Sequence, residues 1–427
     1  MNQEDSADIA RLMHEAFRAD DAPSVRRLLG QYPALKARID DPVWDFDSPA
    51  ITCVRSRDML DVLLDAGADI NARSRWWAGG FGLLDTASPE LAAYVIERGA
   101  IVTAHAAARL GMPDKLSELI GADPSLVHAR GGDGQTPLHF ASTVEIAEYL
   151  LDHGADIAAR DIDHESTPAQ YMVAKRQEVA RCLVRRGCGT DILMAAALGD
   201  RDLVGRHLDA DSESIRMRVS DEYFPMVGGD NGGTIYQWLL GWYVSAVQVA
   251  RSFGHAGIFG FLNERSPADE KLINACWLHD AATARTLLGQ QPDLAAQATS
   301  AGRRQLAHAA RNNDTAAALL MLEAGLPVDT WTQHHATPLH WAAWHGNVDL
   351  VREILRRNPP LNDRSNDYKG TAVDWAVHGS EDGWEREKGD YAATLKLLLD
   401  AGVPLPARIG GAEAVRQVLR LHGMPAA

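Results

Sequence analysis

The side chains of this 427-residue chain best suited to chemistry lie close together toward its C-terminal end. His345 follows Trp344 in WAAWHGN, and His378, Glu381 and Trp384 fall within the stretch VHGSEDGW. An imidazole beside a carboxylate can move protons as a general acid–base pair. Flanking indoles can stack on a sugar or an aromatic ring. If a reaction is catalysed, His345, His378 and Glu381 are the residues assigned to it, and a hydrolase or lyase is the class. The same residue types also suit a docking surface, because Trp and Arg dominate the energetics of protein interfaces. Both readings stay open.

No other catalytic signature accompanies them. H-E-x-x-H, G-x-S-x-G, a P-loop and paired C-x-x-C motifs are all absent from the sequence. DIDHESTP, beginning at Asp161, alternates acids as a calcium loop does. Ser166 stands where that loop needs Gly, however, and Met172 where it needs Glu, so it reads as a connecting loop. No metal and no cofactor is expected. Cys53, Cys182, Cys188 and Cys276 form no zinc spacing and no disulfide framework, and are expected as free thiols in a reducing cytoplasm.

Composition narrows the partners. Hydrophobic residues make up 46% of the chain, enough for a continuous core. The formal charge is −16, which argues against nucleic acid and anionic membranes as ligands. MNQEDSADIA is too acidic and polar for a signal peptide. The longest apolar run, WLLGWYVSAVQVA from Trp238, is too short to span a bilayer.

The elements that must position these residues are repeated. DMLDVLLDAGADINAR, EIAEYLLDHGADIAAR, EVARCLVRRG, AALLMLEAGLPVD and ATLKLLLDAGVPL are versions of one helical phrase ending in Gly and a short loop. A partner helix precedes the phrase, opened by TPLHF at Thr136, TPAQY at Thr167 and TPLHW at Thr337. In each, Thr is placed to cap a helix and Pro to occupy its first turn. A single pair of helices cannot bury its own apolar face, so pairs must stack. The pattern, fullest in TPLHWAAWHGNVDLVREIL, resembles the ankyrin repeat family over nearly the whole chain. The resemblance implies an all-α solenoid of roughly twelve helix-turn-helix units joined by finger loops, in which the His of TPLH is structural.

Several units depart from the pattern. Those at 48–67, 81–99 and 136–154 are two or three residues short, which predicts a tightened turn. Residues 216–243 carry strand formers on both sides of GGDNGG, which predicts a β-hairpin-like segment or an enlarged finger loop. About ten further residues are added near 379–390. The expected organisation is therefore N-terminal repeats over 1–215, the insertion over 216–244, C-terminal repeats over 245–411 and a capping helix over 412–427.

In ankyrin proteins the two positions after the paired small residues face a concave groove. Here the resemblance places Trp277–Leu278, Arg311–Asn312, Trp344–His345 and His378–Gly379 at those positions, with Trp341 and Trp375 adjoining and Trp331, His334 and His335 on a neighbouring loop. Residues expected to meet a partner or ligand are Trp277, Arg311, Trp331, His335, Trp344, Trp375 and Trp384, joined by Tyr223, Asp230, Tyr236 and Trp238 of the first insertion. Family analogy implies a cytoplasmic interaction scaffold that binds a protein in the groove. The alternative is a small-molecule site or enzyme in the C-terminal half, with 216–243 folding toward Trp344 and His345.

Overall fold

The computed structural model describes residues 3–229 and 231–425, with side chains from Asp8 onward. Among these residues, twelve pairs of short helices or helical turns follow one another. The pair Pro338–Trp344 and Val348–Leu355 shows the construction. Thr337 opens the first helix, and the Asn347 side chain caps the second by accepting from the Leu350 N–H. Where a second helix ends in Gly, as at Gly154, the chain turns at φ 92°, a left-handed conformation that costs glycine little. No strand forms among the described residues, and no described helix is long and apolar enough to cross a membrane.

The chain divides into two compact units, residues 1–198 with 219–241 and residues 199–218 with 242–427. In the first unit, Val25, Ile51, Met59, Leu63, Leu83 and Val95 belong to one buried cluster. In the second, a buried cluster runs from Leu272 through Trp341, Val351 and Leu395 to Leu419 of the last helix, Glu413–Leu421.

The cap is more varied than the fold. The backbone N–H of Thr136 donates to Nδ1 of His139, whose Nε2 then donates to the Ser166 carbonyl at 3.1 Å. At the matching position Gln170 accepts from Thr167 N, Gln248 from Ser245 N, and Asp374 from Thr371 N at 2.7 Å. The carboxylate of Asp374 also takes the Thr371 hydroxyl and faces Arg364 at 3.3 Å. It thereby does the work of the histidine it replaces.

In the three short units the missing residues come out of the first helix, not the turn. Ala50–Cys53 and Leu83–Asp85 are 3-10 turns, and Pro137–Phe140 is a single α-turn.

The hairpin expected within 216–243 does not form. A lone bridge joins Arg218 to Ser245, and the segment is otherwise loop around the one-turn helix Tyr236–Leu239. Four of its N–H groups are taken by side chains outside the segment. The Glu165 carboxylate accepts from Val227 and Gly228, Asp163 from Gly232, and the Ser166 hydroxyl from Ile235. The alternating acids of DIDHESTP thus anchor an enlarged loop. Residues 219–241 fold with the first unit, while Arg216 and Arg218 form buried ion pairs with Asp269 and Glu270 in the second, at 2.8 and 2.7 Å.

Burial pushes the His139 pKa down to about 3. As pH falls below about 6.5, the unfolded chain binds a proton that the folded chain refuses. The histidine's contribution is therefore complete above that pH and is lost progressively toward pH 3. His139→Gln, which copies the residue at Gln170, should change stability at pH 7.5 by no more than about 1 kcal/mol. In urea titrations it should reduce the loss between pH 7.5 and 5 by up to about 2 kcal/mol.

Candidate functional site

The ten added residues in the C-terminal unit have a defined place. Helix Ala372–Asp382 has 11 residues where the preceding first helix, Pro338–Trp344, has 7. The extra turn passes close to its neighbour because Gly379 lacks a side chain; a Cβ there would run into the Trp344 carbonyl. After Gly383 the chain folds back over the end of Pro338–Trp344. Tyr391 donates to the Trp344 carbonyl at 3.0 Å, Asp390 N donates to Gly346 O at 3.0 Å, and Asn313 donates to Glu385 at 3.2 Å. This return lays Trp384 over Trp341, Trp344 and His345, with ring centroids 5.8, 6.0 and 5.7 Å away.

The result is a cleft of about 470 Å³ lined by Trp341, Trp344, Trp375 and Trp384, with Tyr368, His334, His378 and Asp374 at its margins. Trp341 and Trp375 meet edge to face at 5.1 Å, and Trp344 and Trp375 at 6.1 Å. The indole N–H groups of Trp341 and Trp344 are buried without an acceptor. A buried donor with no partner costs about 1–3 kcal/mol, so these two favour a ligand that brings carbonyl or hydroxyl oxygens. Beside the cleft, the Arg311 guanidinium lies over Trp242, Trp384 and Trp341 at 4.6, 5.2 and 5.7 Å. The cation–π contacts hold the wall between the cleft and a second recess reaching His345 and Glu385.

The three residues assigned to acid–base work are not brought together. His345 is buried and donates through Nε2 to the Arg311 carbonyl at 2.8 Å, and burial lowers its pKa. Exposed His378 pairs with Asp382 at 3.0 Å, and Glu381 faces Arg416 at 3.9 Å. Of the other residues singled out, Trp344, Trp375 and Trp384 share the cleft, with Arg311 behind it. Trp277 is buried and donates to Gln305 at 2.8 Å. Trp331 stacks with His335, which bonds Asp367. In the N-terminal unit, Tyr236 is fully buried and donates to Asp191, Tyr223 is half-buried, and Trp238 is exposed. Asp230 lies outside the described residues.

The sequence reading missed a second cavity, of about 680 Å³, in the N-terminal unit. It opens over the ends of two of the three shortened first helices, at Thr52, Cys53 and Thr86, where the deletions leave room. Phe46, Trp76, Trp77, Phe81 and Trp238 wall it. At its head Asp133, Asp163 and His164 each offer one atom within 4.8 Å of the others, a set that could also hold a metal ion. Burial, with Asp163 and Asp161 adding to it, pushes Asp133 up to about 6 against the opposing His164. Burial also raises the Cys53 thiol, so that residue is no ready nucleophile. One signal could have found these groups. Asp133, His164, Trp242, His334 and Tyr368 all stand three residues before a capping Ser or Thr, and each lines a cavity.

Paired helices joined by loops with such tips are the architecture of ankyrin repeats. The family model described as ankyrin repeats (3 copies) matches residues 104–195 and 272–365, one stretch lying in each unit. The chain is an ankyrin-repeat protein. It is 37% identical over 73 residues to serine/threonine-protein kinase VIK of Arabidopsis thaliana, a stretch covering 16% of this chain and 17% of the kinase. It is 34% identical over 93 residues to E3 ubiquitin-protein ligase XB3 of Oryza sativa subsp. japonica, covering 22% of this chain and 21% of the ligase. The chain thus spans about a fifth of the length of these curated relatives.

Gly379→Ala tests how the cleft is built. The added methyl must displace the Trp344 carbonyl, so the urea midpoint should fall by the equivalent of about 1–3 kcal/mol. Exposure of Trp384 to acrylamide quenching should rise with it.

Proposed function

We propose that the protein is an interaction scaffold whose C-terminal cleft docks an extended segment of a partner protein. One observation carries this reading: four indoles converge on an accessible cleft, and two of them present buried N–H donors without acceptors. An extended peptide supplies what is missing, since its carbonyls accept from the indoles while proline or other apolar side chains lie against the rings. Proline-rich segments are bound in aromatic grooves in this way, and at low entropic cost, because their backbone is already extended. Trp384 is 60% exposed and completes the cleft from one side, so it is the expected hot spot.

Acid–base chemistry at the same place has less support. His378 and its partner Asp382 both face solvent, whereas catalysis by such a pair gains from exclusion of water. The matches to a kinase and a ubiquitin ligase cover too little of either protein to bring its activity into the reading.

The test is selection from a displayed peptide library on the full chain, followed by titration of the selected peptides. Proline-containing sequences should be enriched, and Trp384→Ala should weaken them by about 30-fold, the equivalent of a 2 kcal/mol hot spot. Selected peptides that bind the Trp384→Ala and Trp344→Ala variants as tightly as the parent would rule the cleft out as the docking site.

A further inference from the structure

The cavity of the N-terminal unit calls for a different ligand. At about 680 Å³ it has the size of a small-molecule site. Large apolar side chains rarely stand out from a folded surface in a group unless something covers them. Here Phe46, Trp77 and Trp238 are 56%, 53% and 69% exposed around one opening. They come from separate segments of the chain, and Phe46 packs edge to face on Trp76 at 5.0 Å. The charged groups of the wall are all of one sign. Asp45, Asp133 and Asp163 line the cavity, and no Lys or Arg does.

The head of the cavity is rich in acceptors. His164 Nδ1 faces the Gly233 carbonyl at 2.8 Å, and a carbonyl can only accept, so this nitrogen carries the proton. In the neutral ring Nε2 is then an acceptor, 3.7 Å from Asp163 Oδ2 and beyond hydrogen-bond range. Asp133 Oδ1 is buried with no hydrogen bond within range, the Trp76 side chain being the donor that faces its carboxylate. One atom each of Asp133, Asp163 and His164 lies within 4.8 Å of the other two. A primary ammonium carries three N–H donors and the opposite charge. Its apolar body would rest on the aromatic walls, whose faces also attract a cation.

We infer that the N-terminal unit binds a small primary amine with an aromatic or apolar body, its ammonium held by Asp133, Asp163 and His164 and its body by Trp76, Phe46 and Trp238. This site is independent of the peptide cleft, lies in the other unit and shares no residue with it.

Isothermal titration of the full chain with 2-phenylethylamine, its neutral counterpart 2-phenylethanol and Mn²⁺ alone tests this directly. The amine should bind at least tenfold more tightly than the alcohol. Asp133→Asn, which keeps shape and removes charge, should cost tenfold or more in amine affinity with an unchanged circular dichroism spectrum. Trp238→Ala, at an exposed position, should weaken amine and alcohol alike, and Trp384→Ala in the other unit should change neither. Equal binding of amine and alcohol would overturn the inference, as would amine affinity indifferent to both Asp133→Asn and Trp238→Ala. Tight Mn²⁺ binding lost in Asp133→Asn, with no amine binding, would make the site a metal centre instead.

Discussion

One N–H group at the start of five of the repeats governs much else in this protein. The capping Thr or Ser turns its backbone N–H inward, where leaving it unpaired would cost about 1–3 kcal/mol. A side chain three residues further on accepts from it, by imidazole at His139 and His340, amide at Gln170 and Gln248, and carboxylate at Asp374. Fixing that end of the helix fixes the loop before it, whose tip turns through positive φ at Asp133, Glu165, His334, Lys369 and Tyr243. A side chain at the tip is therefore aimed by the helix behind it and little constrained by the core. Such positions are free to carry recognition chemistry while the stack stays the same.

Much of the architecture was legible because its signals are local and repeated. Thr-Pro openings, paired alanines and terminal glycines each state their own conformation, and the family profile meets them in both units. The tryptophan cleft was half legible. Trp344, Trp375 and Trp384 stand out by residue type, but their convergence depends on the return of 384–390 over His345, which spacing alone does not show. The assigned acid–base residues failed to meet for a related reason. Adjacent in sequence does not mean facing one another, and on helix Ala372–Asp382 His378 reaches Asp382, not Glu381.

The hairpin expectation and the missed cavity share one cause. Strand propensity in 216–243 describes what the segment would do with itself, whereas four of its N–H groups are taken by Asp163, Glu165 and Ser166 of a distant loop. The cavity depends on something absent from each unit, the residues missing from the first helices at Ala50–Cys53 and Leu83–Asp85. A deletion leaves no motif behind. Only the type of residue at the loop tips, acidic at Asp45 and Asp133 and imidazole at His164, hints at what fills the space.

The anchoring of that loop has a consequence for synthesis. Asp163 receives its donor from Gly232, 69 residues later in the chain. Domains fold as they emerge from the ribosome, N-terminal segments first. Here the first unit cannot be completed when helix Ile192–Leu198 has appeared. It must wait for residues 219–241, by which time Arg201–Ala210 of the second unit has already been made. The nascent chain thus carries an unfinished binding cavity past the point where its successor begins to form, and the two units are tied together in time as well as in sequence.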